Sequence, residues 1–482
     1  SRRAAIQRAL LPVMLQWLAE GTDPDFGLLS FRRVSEANQG TPWYLRLLRD
    51  GTDAAERLAR VLSCSRFAAE LLESIPEAVA WLEKDERLQP LSLATLLEEM
   101  RAIASRRDSA EAASTLLRAV HRREVLRLAL GRIVGATDDR DVALGLDAAH
   151  TALLDGLLIA LRRDEAAASL VTAREAAADD ETPVAATPSV EVALIGMGRY
   201  GGRELGFASD IDIVAVFRAA SGVSSEQASR AATKLISELR RLVSDPRFPV
   251  DLDFDLRPEG KNGPIVRSLE AYRSYYERWS VTWEAQALLR ARHVAGDASL
   301  GADFISLADE IRYPKTFGDT EIREVRRIKA RVEAERLPQG ADRRRHLKLG
   351  PGGISDVEWL VQLIQLREGH QYPELRTVST LAALTAASEL DLLPAEDAEH
   401  LAESWRFASR VRSALKLWTG RASDSLPTDW ADLEGIAGVL RLPSGRTSEL
   451  EERWFAVSRR SRSVVEREFF GYSDDERFPE SW

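Results

Sequence analysis

GMGRYGGRELGFASDIDIVAVF, residues 196–217, decides the reading of this chain. It follows the apolar run VALIG (192–196), which ends in a turn holding Gly196, Gly198, Gly201 and Gly202. A second β-rich run, IDIVAVF, then starts beside Asp210 and Asp212. Strand side chains alternate between faces, so Asp210 and Asp212 share one side while Ile211 and Ile213 enter the core. Glycines in the turn let backbone N–H groups approach an anion that side chains would keep away. Ser209, next to the carboxylate pair, belongs to the same anion-binding turn. The Asp-x-Asp spacing alone says little, because Asp23/Asp25 and Asp139/Asp141 repeat it in helix- or loop-like surroundings. Its meaning here comes from the glycine turn before it and the strand after it.

A third strand is predicted over VDLDFDLR, residues 250–257, with Asp251, Asp253 and Asp255 on one face and Leu252, Phe254 and Leu256 on the other. Carboxylates about 4 Å apart repel by roughly 4 kcal/mol at an effective dielectric near 20. So dense a cluster calls for cations, either Mg²⁺ or arginines. Three carboxylates beside a glycine turn predict a two-metal site for moving a nucleotidyl group. Arg257, Lys261, Arg290 and Arg292 follow closely and are candidates for a triphosphate or a departing pyrophosphate, with ordinary surface charge as the alternative.

Composition narrows the class. With 482 residues, 45% of them hydrophobic, the chain can bury a large core and divide into two or three domains. A net charge of −10 argues against a nucleic-acid partner. The single cysteine, Cys64, cannot form an intrachain disulfide, which suits a reducing cytoplasm. No uninterrupted apolar run has the length that spans a bilayer, so no membrane partner is expected. The six histidines have no zinc-like spacing.

The expected class is α+β and mostly helical. Residues 1–172 form an N-terminal helical domain, with Ile6, Leu10, Val13 and Trp17 at helical spacing and helices expected over 110–134 and 142–162. Residues 173–190, rich in Ala, Asp, Thr and Pro, form a linker. A strand-rich catalytic domain with a small mixed sheet covers 191–310, with a helix at about 224–243 after the capping stretch SGVSSEQ. A C-terminal helical bundle covers 311–482. Leu401, Trp405, Ala408, Val411, Leu415 and Trp418 mark a core stripe there, in preference to an adenine-stacking role for the tryptophans. Arg323, Arg327 and Arg331 share a helix face, with Lys329 nearby, either as a solvated face or as a surface for a phosphate-bearing ligand or an acidic partner protein. Residues from Tyr472 onward are polar and expected to fray.

The first block (196–213), DLRPEGKNGPIVRSLEAY (255–272), TWEAQALLRARHVAGD (282–297) and KLGPGGISDVEWLVQLIQL (348–366) occur in this order. Together they resemble the glutamine synthetase adenylyltransferase family, and similarity in the helical flanks extends the resemblance over nearly the whole chain. It implies a DNA polymerase β-like nucleotidyltransferase domain, with ATP as substrate and two Mg²⁺ ions, or Mn²⁺ in their place. By motif position Asp210 and Asp212 are the metal-binding pair and Asp253 is the third carboxylate, with all three catalytic. Asp255, where the family has a basic or small residue, is the rival to Asp253. Asp356 and Glu358 match an acidic pair after the Gly352-Gly353 turn, although acidic residues at a helix start are also favoured by the macrodipole.

Members of this family contain two similar halves, one attaching AMP to a tyrosine of glutamine synthetase and the other removing it by phosphorolysis. A single copy beginning at Ser1 reads as one half, and RRIKARVEAERLPQGADRRRHLKLGPGGISDVEW (326–359) resembles the C-terminal, adenylylating half of actinobacterial members. Glutamine synthetase is then the expected protein substrate, and the PII signalling protein and the other half are the expected partners. The alternatives are the adenylyl-removing half, a uridylyltransferase of PII, and a non-catalytic helical module that senses ATP.

Overall fold

The structure, a computed structural model, describes residues 2–38, 41–50, 52–176, 189–279, 282–443 and 445–472. It is mostly helical around one small mixed sheet, the class expected from the sequence. Strands β1 (Val190–Gly196), β2 (Ile211–Ala219), β3 (Leu252–Asp253), β4 (Val266–Ser268) and β5 (Arg292–Gly296) make a sheet ordered β3-β2-β1-β5, with β4 also paired to β2. β1 runs antiparallel to β2 and β5, and β2 runs parallel to β3 and β4.

Both faces of the sheet are covered, which is why β1 and β2 read as nearly continuous apolar runs. Val192, Leu194, Ile211, Ile213 and Ala215 join a hydrophobic cluster that continues from Met14 in the first helix to Phe469 near the C-terminus. Ala193, Ile195, Val214 and Val216 face a second cluster with Tyr272, Leu300 and Phe304. The helix Ser225–Val243 packs on the sheet, and its Ser224 and Gln227 form a capping box at the expected start.

The expected core stripe of the helix Ala395–Thr419 is buried from Leu401 to Trp418. The phase of the first helix differs from the reading above. Val13 is exposed while Met14 and Leu18 are fully buried, so the seam lies one residue further on; Ile6 and Leu10 fall outside the described side chains. The helix Asp139–Ala176 runs into the expected linker, of which residues 177–188 lie outside the described residues, as do those after Tyr472. Its segment Asp139–Ala167 is long and apolar enough to cross a membrane, contrary to expectation, but 78% of its apolar window is buried within the protein. Its apolarity therefore reflects core packing.

Candidate active site

The carboxylates gather where β2 begins. Asp210 precedes the strand and is exposed, and Asp212 lies half-buried on it. β3 is only two residues long, and its register with β2 sets Asp212 beside Asp253. The Ile211 amide donates to the Asp251 carbonyl at 3.0 Å, completing this short ladder. The strand expected over 250–257 therefore ends early. Asp253 Oδ1 accepts the Asp255 amide at 2.6 Å, and this local turn takes the chain out of the sheet. Asp255 consequently does not share a strand face with Asp253. It pairs with Lys261 at 3.3 Å and Arg257 at 3.8 Å.

The glycine turn is shaped around Asp212. The Met197 amide donates to the Asp212 carbonyl at 2.8 Å. Gly198 has φ +50°, and a Cβ there would stand 2.2 Å from Asp212 Oδ2, so a side chain would displace the carboxylate. Gly201 and Gly202 differ from expectation, because their amides donate to the Met197 and Gly198 carbonyls at 2.6 and 3.1 Å within the turn. Gly201 is required for packing, since a Cβ there would lie 1.8 Å from the Arg290 carbonyl oxygen. Ser209 lines the cleft while its Oγ accepts the Gly206 amide at 2.9 Å.

A cleft of about 140 Å³ opens over this turn. Gly198, Arg199, Asp210 and Asp212 line it. So do Lys348, Arg412 and, from successive turns of the helix Ile354–Glu368, Ile354, Glu358 and Gln362. Burial, then Asp253 and Asp210, push the Asp212 carboxyl up to about 7, against a smaller opposing pull from Lys348. Asp210 is also raised, by burial first, with Asp251 and Asp253 adding to it and Lys348 and Arg412 opposing. Burial and mutual repulsion thus make the charged forms of Asp210 and Asp212 costly, and Lys348 offsets that only in part.

The donor set is made of carboxylate oxygens, which suits Mg²⁺ or Mn²⁺. Among the described residues no three His, Cys, Asp or Glu groups enclose an ion by themselves. That is compatible with Mg²⁺, which is usually held by one or two carboxylates and completed by substrate phosphates and water. Asp210 and Asp212, which line the cleft, could supply such a partial set.

The four cations named from sequence are not gathered in the cleft. Arg257 donates to the Gly263, Phe254 and Lys261 carbonyls and folds its own loop, and Lys261 is largely exposed beside Asp255. Arg292 donates to the Gly201 and Tyr200 carbonyls and pairs with Asp147, tying the turn to the helix Asp139–Ala176. Arg290 does line the cleft, but it is buried and donates to the Val378 carbonyl at 2.7 Å and to Thr380 Oγ1 at 2.9 Å. Buried Glu204 accepts from the same Thr380 hydroxyl and from Ser379, linking the turn to the start of the helix Thr380–Glu389.

Asp356 and Glu358 have different environments. Asp356 is 1% exposed and meets Lys329 at 2.6 Å and Arg462 at 2.9 Å, while Glu358 faces the cleft and accepts from Trp405 Nε1 at 3.2 Å. Lys329 is thus a core cation, not a member of the exposed arginine face. The reading above missed Lys348, Arg199, Glu204, Gln362 and Arg412, which reach the cleft from different elements. Arg199 and Glu204, inside the 196–217 block, and Lys348 and Gln362, inside the 348–366 block, had a signal that could have found them, whereas Arg412 sits in an amphipathic helix whose spacing marks only its core face.

Comparison with known proteins places the chain in a family. Residues 55–306 match the family described as glutamate-ammonia ligase adenylyltransferase, and residues 326–469 match one described as PII-uridylyltransferase. The bifunctional glutamine synthetase adenylyltransferase/adenylyl-removing enzyme of Leifsonia xyli subsp. xyli is 56% identical over 473 residues, which is 98% of this chain and 45% of that protein. The protein of the same name from Streptomyces coelicolor is 48% identical over 98% of this chain and 47% of its own length. That from Mycobacterium avium is 40% identical over 97% and 46%. The chain spans about half the length of the curated relatives it matches. The 55–306 match takes in the glycine turn, all five strands and the clustered carboxylates, and the chain belongs to the glutamate-ammonia ligase adenylyltransferase family.

Proposed function

We propose that this chain transfers AMP from ATP to a tyrosine of glutamine synthetase, in the cytoplasm, with segment 191–310 as the transfer domain and 1–172 and 311–482 as helical companions. The observation that carries this reading is Asp212, seated against Gly198, in register with Asp253, and lining one cleft with Lys348. Family membership supports it, as does the name shared by the relatives. Asp210 and Asp212, with Asp253 beside them, would hold Mg²⁺, which when bound neutralises phosphate charge.

The acceptor hydroxyl attacks the α-phosphorus in line with the bond to the β-phosphate, and that bond breaks with its electron pair going to pyrophosphate. A tyrosine with an ordinary pKa near 10 needs its proton removed. Asp253 is the base: its Oδ1 is engaged by the Asp255 amide, so Oδ2 takes the proton. Gly198 keeps the turn close enough for Asp212 to remain at the reacting phosphate. PII acts as regulator, and the other half of the full-length enzyme removes the AMP by phosphorolysis, releasing ADP.

The test supplies ATP labelled at the α-phosphate, Mg²⁺ and unmodified glutamine synthetase, with Asp212→Asn as control. Label should appear on glutamine synthetase only when Asp212 is intact. Release of ADP from pre-adenylylated glutamine synthetase on adding phosphate, without labelling, would reverse the assigned direction. Transfer from UTP to PII would replace the substrates, and substantial labelling by a folded Asp212→Asn protein would overturn the site.

A further inference from the structure

The loop between His346 and Ile354 is closed so tightly that only glycine fits at three places. A Cβ on Gly350 would stand 2.3 Å from the Arg343 and His346 carbonyl oxygens, and one on Gly353 2.5 Å from that of Leu347. Gly352, at φ +71°, would place its Cβ 1.8 Å from the Ser458 carbonyl oxygen. The Leu347 amide donates to the Asp424 carbonyl at 2.7 Å, and the Ser355 amide to the Lys348 carbonyl at 2.9 Å. Asp356 secures the loop from below by accepting the Gly352 amide at 2.7 Å, and Ser404 Oγ donates to the Gly352 carbonyl at 2.7 Å. None of these fastening groups lines the cleft. The residue they hold at its wall is Lys348.

Lys348 differs from the other cations there. Arg199 donates to the Glu204 carbonyl and Ser409 Oγ, Arg290 to Val378 and Thr380, and Arg412 to Asp424. Lys348 is half-buried, and among the described residues its ammonium makes no ion pair or hydrogen bond. An ammonium has three donors and no acceptor, and holding one out of bulk water without an acceptor is costly. A loop built to keep it there, in the same cleft as the carboxylates, suits an anion that arrives with the substrate.

We propose that Lys348 binds the β- and γ-phosphates of the nucleotide and remains with pyrophosphate as it leaves. This inference rests on the nucleotidyl-transfer reading above and adds its leaving-group contact. As the bond between the α-phosphorus and the bridging oxygen breaks, the electron pair passes to the β-phosphate, and the Lys348 ammonium offsets the added negative charge. Asp210 and Asp212 line the same cleft, so one triphosphate chain can meet both Lys348 and the carboxylates.

Calorimetric titration of ATP, AMP and inorganic pyrophosphate, each with Mg²⁺, into the wild type, Lys348→Ala and Lys348→Arg tests the proposal. Lys348→Ala breaks no hydrogen bond or close ion pair among the described residues, so it should fold. It should bind ATP and pyrophosphate about ten- to a hundredfold more weakly, as expected for a lost charged hydrogen bond, with AMP changed less than about twofold. Lys348→Arg should recover most of the loss. Unchanged ATP binding by Lys348→Ala, or equal loss for ATP and AMP, would overturn the role of Lys348 while leaving the transfer reading intact. A wild type that binds neither ATP nor pyrophosphate would overturn both.

Discussion

Asp212 sits half-buried on β2 with Asp210 and Asp253 close by, and burial followed by those two neighbours raises its carboxyl to about 7. A folded-state value above the ordinary 3.8 means that the folded protein holds this proton more tightly than the unfolded chain does. Stability therefore falls as pH rises from about 4 to 7, and the full cost is present above 7. In metal-free buffer at pH 8, Asp212→Asn should be more stable than the wild type by about 4 kcal/mol, with the difference vanishing near pH 4. Mg²⁺ should stabilise the wild type and leave the variant unchanged. Urea unfolding at both pH values, with and without Mg²⁺, measures this, and a variant less stable at pH 8 would refute the assigned strain. This residue was legible because a strand with Ile211 and Ile213 facing the core fixes where Asp210 and Asp212 can point. The roles of Gly201 and Gly202 were not, because a glycine kept for close packing looks the same in sequence as one that exposes its amide.

At the scale of elements, alternation located β2 but could not show where its neighbour stops. VDLDFDLR alternates through Leu256, yet the ladder ends at Asp253, where the side chain captures the amide two residues on. A similar ambiguity affected the helix Asp319–Glu335. Arg323 and Arg327 lie on its exposed side, while Lys329 turns inward to Asp356, Glu333 and the ring of Trp359. Spacing separates the two faces but cannot identify which cation the core takes. Burial alone would raise the Asp356 carboxyl, but Lys329 and Arg462 outweigh it and hold it well below its ordinary value. Breaking such a buried pair leaves an uncompensated charge, so Lys329→Met should cost about 3–5 kcal/mol in urea unfolding. Arg327→Ala, on the exposed face beside Glu324, should leave stability unchanged within measurement. If both variants unfolded together with the wild type, the buried network would have no structural importance.

Across the whole molecule, the cleft is assembled from parts far apart in sequence, which local motifs could not reveal: a turn near residue 200, a loop near 350 and a helix near 410. The N-terminal helices reach the same turn through a contact that histidine spacing did not disclose. His121 and His150 share a hydrogen bond of 2.9 Å between the helices Ala110–Val134 and Asp139–Ala176. His150 packs edge-on to Tyr200 of the glycine turn, whose hydroxyl is bonded to Thr151. The nearby charges are already engaged, Arg122 with Asp245 and Arg292 with Asp147. Burial lowers His150 to about 4, and burial, then His150 and Arg122, lower His121 well below its ordinary value. These folded-state values lie below the unfolded 6.5, so the unfolded chain takes up protons first as pH falls. The stability the pair contributes is complete above 6.5 and is lost progressively as pH falls toward 4. His150 alone should account for roughly 2 kcal/mol of the decrease between pH 7.5 and pH 5. Replacing both rings, as His121→Leu with His150→Leu, should flatten that acid limb in urea unfolding measured across the interval. A double variant that kept the wild-type slope would place the acid sensitivity elsewhere in the fold.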